Sequence, residues 1–264
     1  PPGSTFKLIT AASLLGQDRI DLDYEDTGSQ VIDGRTFKNA EGAQYGSVDL
    51  QEALVKSINT YFVEKGSKLG KDNLGGAADK FYFNSKIPFD LPVSVSVFDY
   101  KKNLPKTTLA ASAIGQGDVL ATPLHMAMVA SAVANDGKMM QPILVKEVED
   151  TKGSAIETKE PKVLIESTTP EIAKKLTKYM ISVVQDGTGR RAALRNTQVA
   201  GKTGSAENAS GENHAWFIGF APAEDPQIAV AVIVEQAGRS GGSVAAPMAR
   251  DIIAYALNNI DFNA

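Results

Sequence analysis

The chain has 264 residues, of which 43 % are apolar and 22 % charged, as in an ordinary globular protein with a sizeable core. Its formal net charge of −4, without any Lys/Arg-rich block, gives no reason to expect a nucleic-acid partner. The absence of cysteine excludes disulfides, thiolate metal ligands and cysteine nucleophiles. The longest apolar stretch, residues 228–234, is too short to cross a bilayer.

Helical patterns dominate the first two thirds of the sequence. A first amphipathic run is stopped by Gly16, and Asp49 with Glu52 gives a capping signature for a later helix. Between residues 71 and 108, three prolines break any long element. The predicted helices span residues 4–15, 50–56, 60–69, 121–135 and 170–185.

The C-terminal third changes character. Three strands are predicted over residues 198–203, 215–220 and 228–235, with a strong turn signal at 221–226 and a closing helix at 247–258. Helices followed by an antiparallel sheet predict an α+β fold, with the sheet flanked by helices and a mainly helical subdomain beside it.

Three short sequence patterns contain the candidate catalytic residues. Ser4 and Lys7 are three residues apart on one predicted helix, so the hydroxyl and the amine project from the same face. The second pattern, Ser57-Ile58-Asn59, lies between two predicted helices. The third, residues 202–204 (Lys-Thr-Gly), lies on the first C-terminal strand.

A serine hydroxyl needs an adjacent base to act as a nucleophile. The sequence has only two histidines, His125 and His214, and no Gly-x-Ser-x-Gly elbow, which argues against a Ser-His-Asp triad. Lys7 is the natural substitute for the histidine, provided that its amine is neutral. Burial and a second cation, for which Lys202 is the candidate, would both lower its pKa.

Taken together, the three patterns are the signature of penicillin-binding proteins and related β-lactamases. Their order, spacing and flanking residues resemble the transpeptidase domain of high-molecular-weight, class B-like penicillin-binding proteins, in the serine acyltransferase and β-lactamase-like superfamily. The resembling stretches span nearly the whole chain and comprise residues 2–7, 53–62, 114–117, 122–124, 187–189 and 214–222.

The resemblance implies a role for each residue of the three patterns. Ser4 would form the acyl-enzyme, Lys7 would act as its base, and Ser57 would relay a proton to the leaving amine. Asn59 would hold the amide carbonyl of the substrate, and Lys202 would supply positive potential.

Substrate binding is implied for the strand that carries the third pattern. Thr203 and Ser205, on either side of Gly204, would hold the substrate carboxylate. The backbone N–H groups of Ser4 and Ser205 would bind the oxyanion, where one donor contributes about 3 kcal/mol. Threonine is commoner than serine at position 205 in such transpeptidases, so altered affinity is expected.

The implied function is that of a serine D,D-transpeptidase, which cross-links peptidoglycan stem peptides and is acylated by β-lactam antibiotics. A β-lactamase or D,D-carboxypeptidase, or a non-enzymatic β-lactam sensor domain, are the alternatives. No cofactor, metal or nucleic acid is expected. Cell-division or elongation proteins are possible partners, through regions outside this chain.

The resemblance also implies a context for the chain. Residues 1–264 would form one transpeptidase domain, a fragment of a membrane-anchored protein on the extracytoplasmic face of the bacterial cytoplasmic membrane. In the family fold, strands and a helix precede the nucleophile, whereas Ser4 lies near the start of this sequence. One face of the sheet is therefore expected to be incompletely covered.

Overall fold

The computed structural model of the chain describes residues 1–208 and 211–262. Its helices are α1 (Lys7–Leu15), α2 (Leu50–Lys56), α3 (Asn59–Lys80), α4 (Lys106–Ser112), α5 (Pro123–Ala134), α6 (Pro170–Gln185) and α7 (Ala245–Asn259), with 3-10 turns at Gly3–Phe6, Ala40–Gly42 and Arg190–Ala192. Its strands are β1 (Tyr24–Asp26), β2 (Ser29–Ile32), β3 (Arg35–Lys38), β4 (Gly46–Val48), β5 (Lys138–Met140), β6 (Glu147–Glu149), β7 (Ala155–Thr158), β8 (Val163–Glu166), β9 (Ala200–Ala206), β10 (His214–Ala221) and β11 (Ile228–Val234).

A three-stranded antiparallel sheet of order β11-β10-β9 organises the C-terminal third. Successive side chains of a strand point to opposite faces. Accordingly, Trp216 and Ile218 enter the large core shared with the helices of the first two thirds, and Phe217 enters a smaller core against α7. The sheet therefore separates two cores, as the predicted α+β class requires.

The sheet face that packs against α7 is only partly covered. Two β11 side chains on this face, Ile228 and Val232, remain partly exposed. On α7 itself, Met248, Ile252 and Tyr255 are 48 % to 68 % exposed, and they follow each other at helical spacing. The outer surface of α7 is thus an apolar stripe open to solvent. No described helix is long and apolar enough to span a membrane.

The strongly periodic elements agree with prediction within a few residues, but the weak ones were missed. Four two-stranded antiparallel pairs (β1–β4, β2–β3, β5–β8 and β6–β7) were not predicted, and neither was α4. The strands of these pairs have only three or four residues. Strands β6 and β7 are also exposed throughout, so neither shows the apolar alternation that predicts a strand. Helix α3 also continues to Lys80, beyond the predicted end near Leu69, because a kink at Gly70 lets the chain resume a helical path.

Candidate active site

The turn that carries Ser4 is wedged between the sheet and the segment that follows α4. Gly3 has a φ of +53°, and a Cβ there would lie 2.6 Å from the Ser205 carbonyl oxygen. Its N–H donates to the Gly115 carbonyl at 2.9 Å. Only glycine tolerates both the left-handed backbone and this close approach. The turn therefore fixes Ser4, half-buried, in the wall of a cleft.

Lys7 lies one helical turn after Ser4 and is fully buried. Its Nζ donates to the Asn59 Oδ1 at 2.7 Å, to the Ser57 carbonyl at 2.8 Å and to the Ser57 Oγ at 3.3 Å. Three acceptors satisfy the three ammonium hydrogens, so the buried amine has no unpaired donor.

Lys202 reaches the same hydroxyl from the sheet. It is fully buried on β9, and its Nζ donates to the Ser57 Oγ at 2.9 Å and to the Thr203 carbonyl at 3.0 Å. The Ser57 hydroxyl thus lies between the two lysine amines, although 50 residues separate it from the first and 145 from the second.

Burial lowers the pKa of both lysine amines, and the charge of Lys202 lowers that of Lys7 further. Burial, and next the nearby charge of Lys202, holds the pKa of the Lys7 amine well below its usual value. Burial lowers the pKa of Lys202 to about 7. None of the ion pairs formed by the described residues involves either lysine. Burial and the Lys202 charge therefore favour the neutral amine that a base requires, against the three acceptors, which favour the ammonium.

Ser57 has a strained backbone. Its φ of 58° and ψ of 43° are left-handed, at the residue that ends α2, where glycine is usual. A non-glycine residue in this conformation costs about 1–2 kcal/mol. The strain lets one residue present both its carbonyl and its hydroxyl to Lys7, which suggests a functional reason for keeping serine here.

This strain gives a stability prediction. Ser57→Gly and Ser57→Ala both remove the hydroxyl, but only glycine adopts the left-handed backbone without cost. We expect the glycine variant to be more stable than the alanine variant by about 1 kcal/mol in urea unfolding. Equal stabilities of the two variants would show that residue 57 does not hold this conformation in solution.

Asn59, the first residue of α3, bridges Lys7 and the β2–β3 hairpin. Its Oδ1 accepts from the Lys7 amine, and its Nδ2 donates to the Lys38 carbonyl at 3.0 Å. Both ends of the amide are therefore engaged, and its orientation is fixed before any ligand binds.

A buried polar cluster beneath Asn59 was not found from the sequence. The Asp26 carboxylate, 2 % exposed, accepts from the Thr60 hydroxyl at 2.5 Å and from the Asn39 amide at 2.9 and 3.0 Å. It also accepts from the Gly28 N–H. The cluster ties the start of α3 to the β2–β3 hairpin. The local signal that could have pointed to it is the Asp-Thr-Gly turn at residues 26–28.

The opposite end of the cleft is formed by β9 and the loop before α7. The Thr203 hydroxyl hydrogen-bonds the Thr188 hydroxyl at 2.6 Å, and the Ser205 Oγ accepts from the Gly241 N–H at 3.3 Å. Thr188 was noted only as part of a flanking stretch. The cleft encloses about 900 Å³, and the sequence-predicted residues that line it are Ser4, Ser57, Asn59, Thr203 and Ser205.

Gly204 has a different place from its two neighbours. A Cβ on Gly204 would lie 2.9 Å from the Pro2 carbonyl oxygen and 3.0 Å from the Thr5 side chain. The residue thus faces the nucleophile turn and is not among the residues that line the cleft. Its position requires a small residue for packing. The assignment of the Ser4 and Ser205 N–H groups to the oxyanion stays a prediction.

Neither histidine lies among the cleft residues. His125 is fully buried, its Nε2 is 2.7 Å from the Phe81 carbonyl, and burial lowers its pKa to about 4. His214 accepts from the Gln236 N–H. Within residues 1–208 and 211–262, no group of three or more His, Asp or Glu side chains is arranged to hold a metal ion.

Comparison with known proteins gives a consistent result. The family model of the penicillin-binding protein transpeptidase domain matches residues 1–254. The peptidoglycan D,D-transpeptidase PbpA of Mycolicibacterium smegmatis is 38 % identical over 97 % of this chain. Stage V sporulation protein D of Bacillus subtilis is 32 % identical over 96 % of it. The chain spans 55 % and 41 % of the lengths of these two relatives.

Solved structures resemble the whole described fold. A ceftriaxone acyl-enzyme complex of penicillin-binding protein A from Mycobacterium tuberculosis aligns with a TM-score of 0.91 at 34 % identity, over 97 % of this chain and 60 % of that one. The D,D-transpeptidase domain of a peptidoglycan glycosyltransferase from Eggerthella lenta aligns with a TM-score of 0.89 at 36 % identity, over 98 % and 66 %.

Proposed function

Because this chain belongs to the penicillin-binding protein transpeptidase family, we propose that it is a serine D,D-transpeptidase acting on peptidoglycan stem peptides. One observation carries the proposal: the Ser57 hydroxyl lies between the buried amines of Lys202 and Lys7, and Lys7 follows Ser4 by three residues. Named relatives that cover nearly the whole chain are D,D-transpeptidases, and a related structure is a β-lactam acyl-enzyme.

The first half-reaction forms the acyl-enzyme. The Ser4 Oγ attacks the carbonyl carbon of the penultimate D-alanine while its proton passes to the neutral Lys7 amine. The carbonyl oxygen becomes an oxyanion held by the Ser4 and Ser205 N–H groups. When the tetrahedral intermediate collapses, the C–N bond breaks and the leaving D-alanine amine takes a proton relayed through the Ser57 hydroxyl from the lysine pair.

The second half-reaction transfers the acyl group. An amine of another stem peptide attacks the ester carbon, loses a proton to the Ser57–Lys7 relay, and releases Ser4 as the alcohol. A β-lactam follows only the first half, since its C–N bond breaks but its amine stays attached and blocks the cleft. If water instead of an amine attacks the ester carbon, the acyl group is hydrolysed, which is the hydrolase alternative.

We also propose that the parent protein works on the extracytoplasmic face of the cytoplasmic membrane, where peptidoglycan is cross-linked. The support for this location is the substrate class alone. Contacts with division or elongation proteins are likewise proposed, through regions outside this chain.

The proposal is tested by intact-mass spectrometry after incubation with benzylpenicillin. We expect a mass increase of one penicillin molecule on the wild-type protein and none on Ser4→Ala, because that variant lacks the nucleophile. An adduct that persists in Ser4→Ala would sink the assignment. Loss of the adduct to water within minutes would favour the hydrolase. A stable adduct without turnover of D-Ala-D-Ala peptides and an amine acceptor would favour the sensor.

A further inference from the structure

The cleft is cationic in a protein that is acidic overall. The chain carries 31 acidic and 27 basic residues, yet among the described residues the cleft lining has a single carboxylate, Glu207. The exposed basic residues that line the cleft are Arg35, Lys38, Lys56, Arg190 and Arg191. The balance of charge at this site is therefore opposite to that of the whole chain.

The five cations fall into two groups. Arg35 and Lys38 are on β3 and Lys56 ends α2, next to Ser57; with the Lys38 carbonyl bonded to Asn59, these three form the Asn59 wall. Arg190 and Arg191 follow Thr188, whose hydroxyl bonds that of Thr203, and form the Thr203 wall. Both groups line the same cleft as Ser4.

The cations have no acidic partner among the described residues. The ion pairs found there join residues 64 and 68, 90 and 159, 102 and 118, and 250 and 251. The Arg35 guanidinium lies 4.8 Å from the centroid of the Phe37 ring, and Phe37 is 7 % exposed, so a fixed aromatic platform orients this cation. Unpaired, oriented cations in a concave site favour an anionic ligand.

The C-terminal carboxylate of the substrate would lie near the cations of the Thr203 wall only, so it does not explain the cations of the Asn59 wall. In the proposed function, the C-terminal carboxylate lies at Thr203 and Ser205, near the Thr203 wall and the Lys202 amine. The amide carbonyl of the acylating residue lies at Asn59. Because these two anchors set the direction of the peptide, the residues upstream of the scissile bond run toward the Asn59 wall.

Resting on that function, we propose that Arg35 and Lys38 bind a second, side-chain carboxylate of the donor peptide, upstream of the terminal D-Ala-D-Ala. The preferred donor is a peptide whose upstream residues keep free carboxylates. A donor whose upstream carboxylates are converted to carboxamides loses the charge interaction and is used more slowly. Arg35 and Lys38 are specificity-determining residues, since neither touches the reacting atoms.

The test uses two synthetic peptides with the same D-Ala-D-Ala end, one with an upstream side-chain carboxylate and one with the matching carboxamide. For the wild-type protein we expect kcat/KM to be about fivefold higher for the acidic peptide, the upper range for a solvent-accessible charge pair. The double variant Arg35→Gln/Lys38→Gln should lower this ratio to about one by slowing the acidic peptide alone. Its Lys38 backbone carbonyl still holds Asn59.

The matched control removes two exposed charges elsewhere. Lys174→Gln/Lys175→Gln lies on α6, outside the cleft lining, and should keep the wild-type ratio. Benzylpenicillin, which has no upstream peptide, should acylate the wild-type protein and both double variants at similar rates. Raised ionic strength should shrink the acidic preference, because screening weakens exposed charge pairs.

Distinct outcomes separate this inference from the proposed function. Equal kcat/KM values for both peptides in the wild-type protein, or a double variant that slows both peptides alike, would overturn the carboxylate site while penicillin acylation stays intact. Absence of penicillin acylation would overturn the function instead. In that case the binding of both peptides to Ser4→Ala, measured by calorimetry, still decides whether the carboxylate is recognised.

Discussion

Replacing Lys7 with methionine is expected to lower the rate of penicillin acylation by about 10²- to 10⁴-fold, the range for loss of a general base. Methionine has nearly the length of the lysine stem but no amine to accept the Ser4 proton. The variant should remain folded, because methionine fills the space of the fully buried lysine stem and its introduction leaves no carboxylate partner unpaired. Stopped mixing with a chromogenic β-lactam gives the rate, and circular dichroism checks the fold.

The control is Lys68→Met on α3. Lys68 is exposed and pairs with Glu64 one turn away, so its loss should leave acylation within twofold of the wild type and stability within about 0.5 kcal/mol. If Lys7→Met were folded and acylated at the wild-type rate, Lys7 would not be the base. The role would then pass to Lys202 through Ser57.

Replacing Lys202 with methionine should move the pH dependence of acylation to higher pH. The neutral form of Lys7 is the active form, so the rate rises as Lys7 loses its proton. The charge of Lys202 helps to keep the pKa of Lys7 low. Without that charge the pKa of Lys7 rises, and the acid limb of the profile should move to higher pH.

The measurement is the second-order acylation rate between pH 5 and 10, in the wild-type protein and the variant. Asn59 and the Ser57 carbonyl still hold Lys7 in Lys202→Met, so the two profiles should converge at high pH, apart from any loss in binding. A profile that is lower throughout but not displaced would mean that Lys202 serves substrate binding and leaves the pKa of Lys7 alone.

The sequence alone determined the chemistry and the strongly periodic elements. Ser4 and Lys7 are three residues apart, so local helical geometry already places them together. Helices α2 and α6 carry their own capping residues, Asp49 and Thr169, and begin and end as predicted. Strand β10 is buried on both faces, and a continuous apolar run marks such a strand. These features depend on neighbours within a few residues, which a pattern can capture.

Only the tertiary structure decided how far the two lysines are buried and what holds them. The pKa of Lys7 depends on its burial and on a second lysine from the sheet, and its amine is held by Ser57 and Asn59, 50 and 52 residues away. The left-handed backbone of Ser57 and the Asp26 cluster depend likewise on packing between distant segments. Burial and long-range contact set these properties, and neither is encoded in any local spacing of residues.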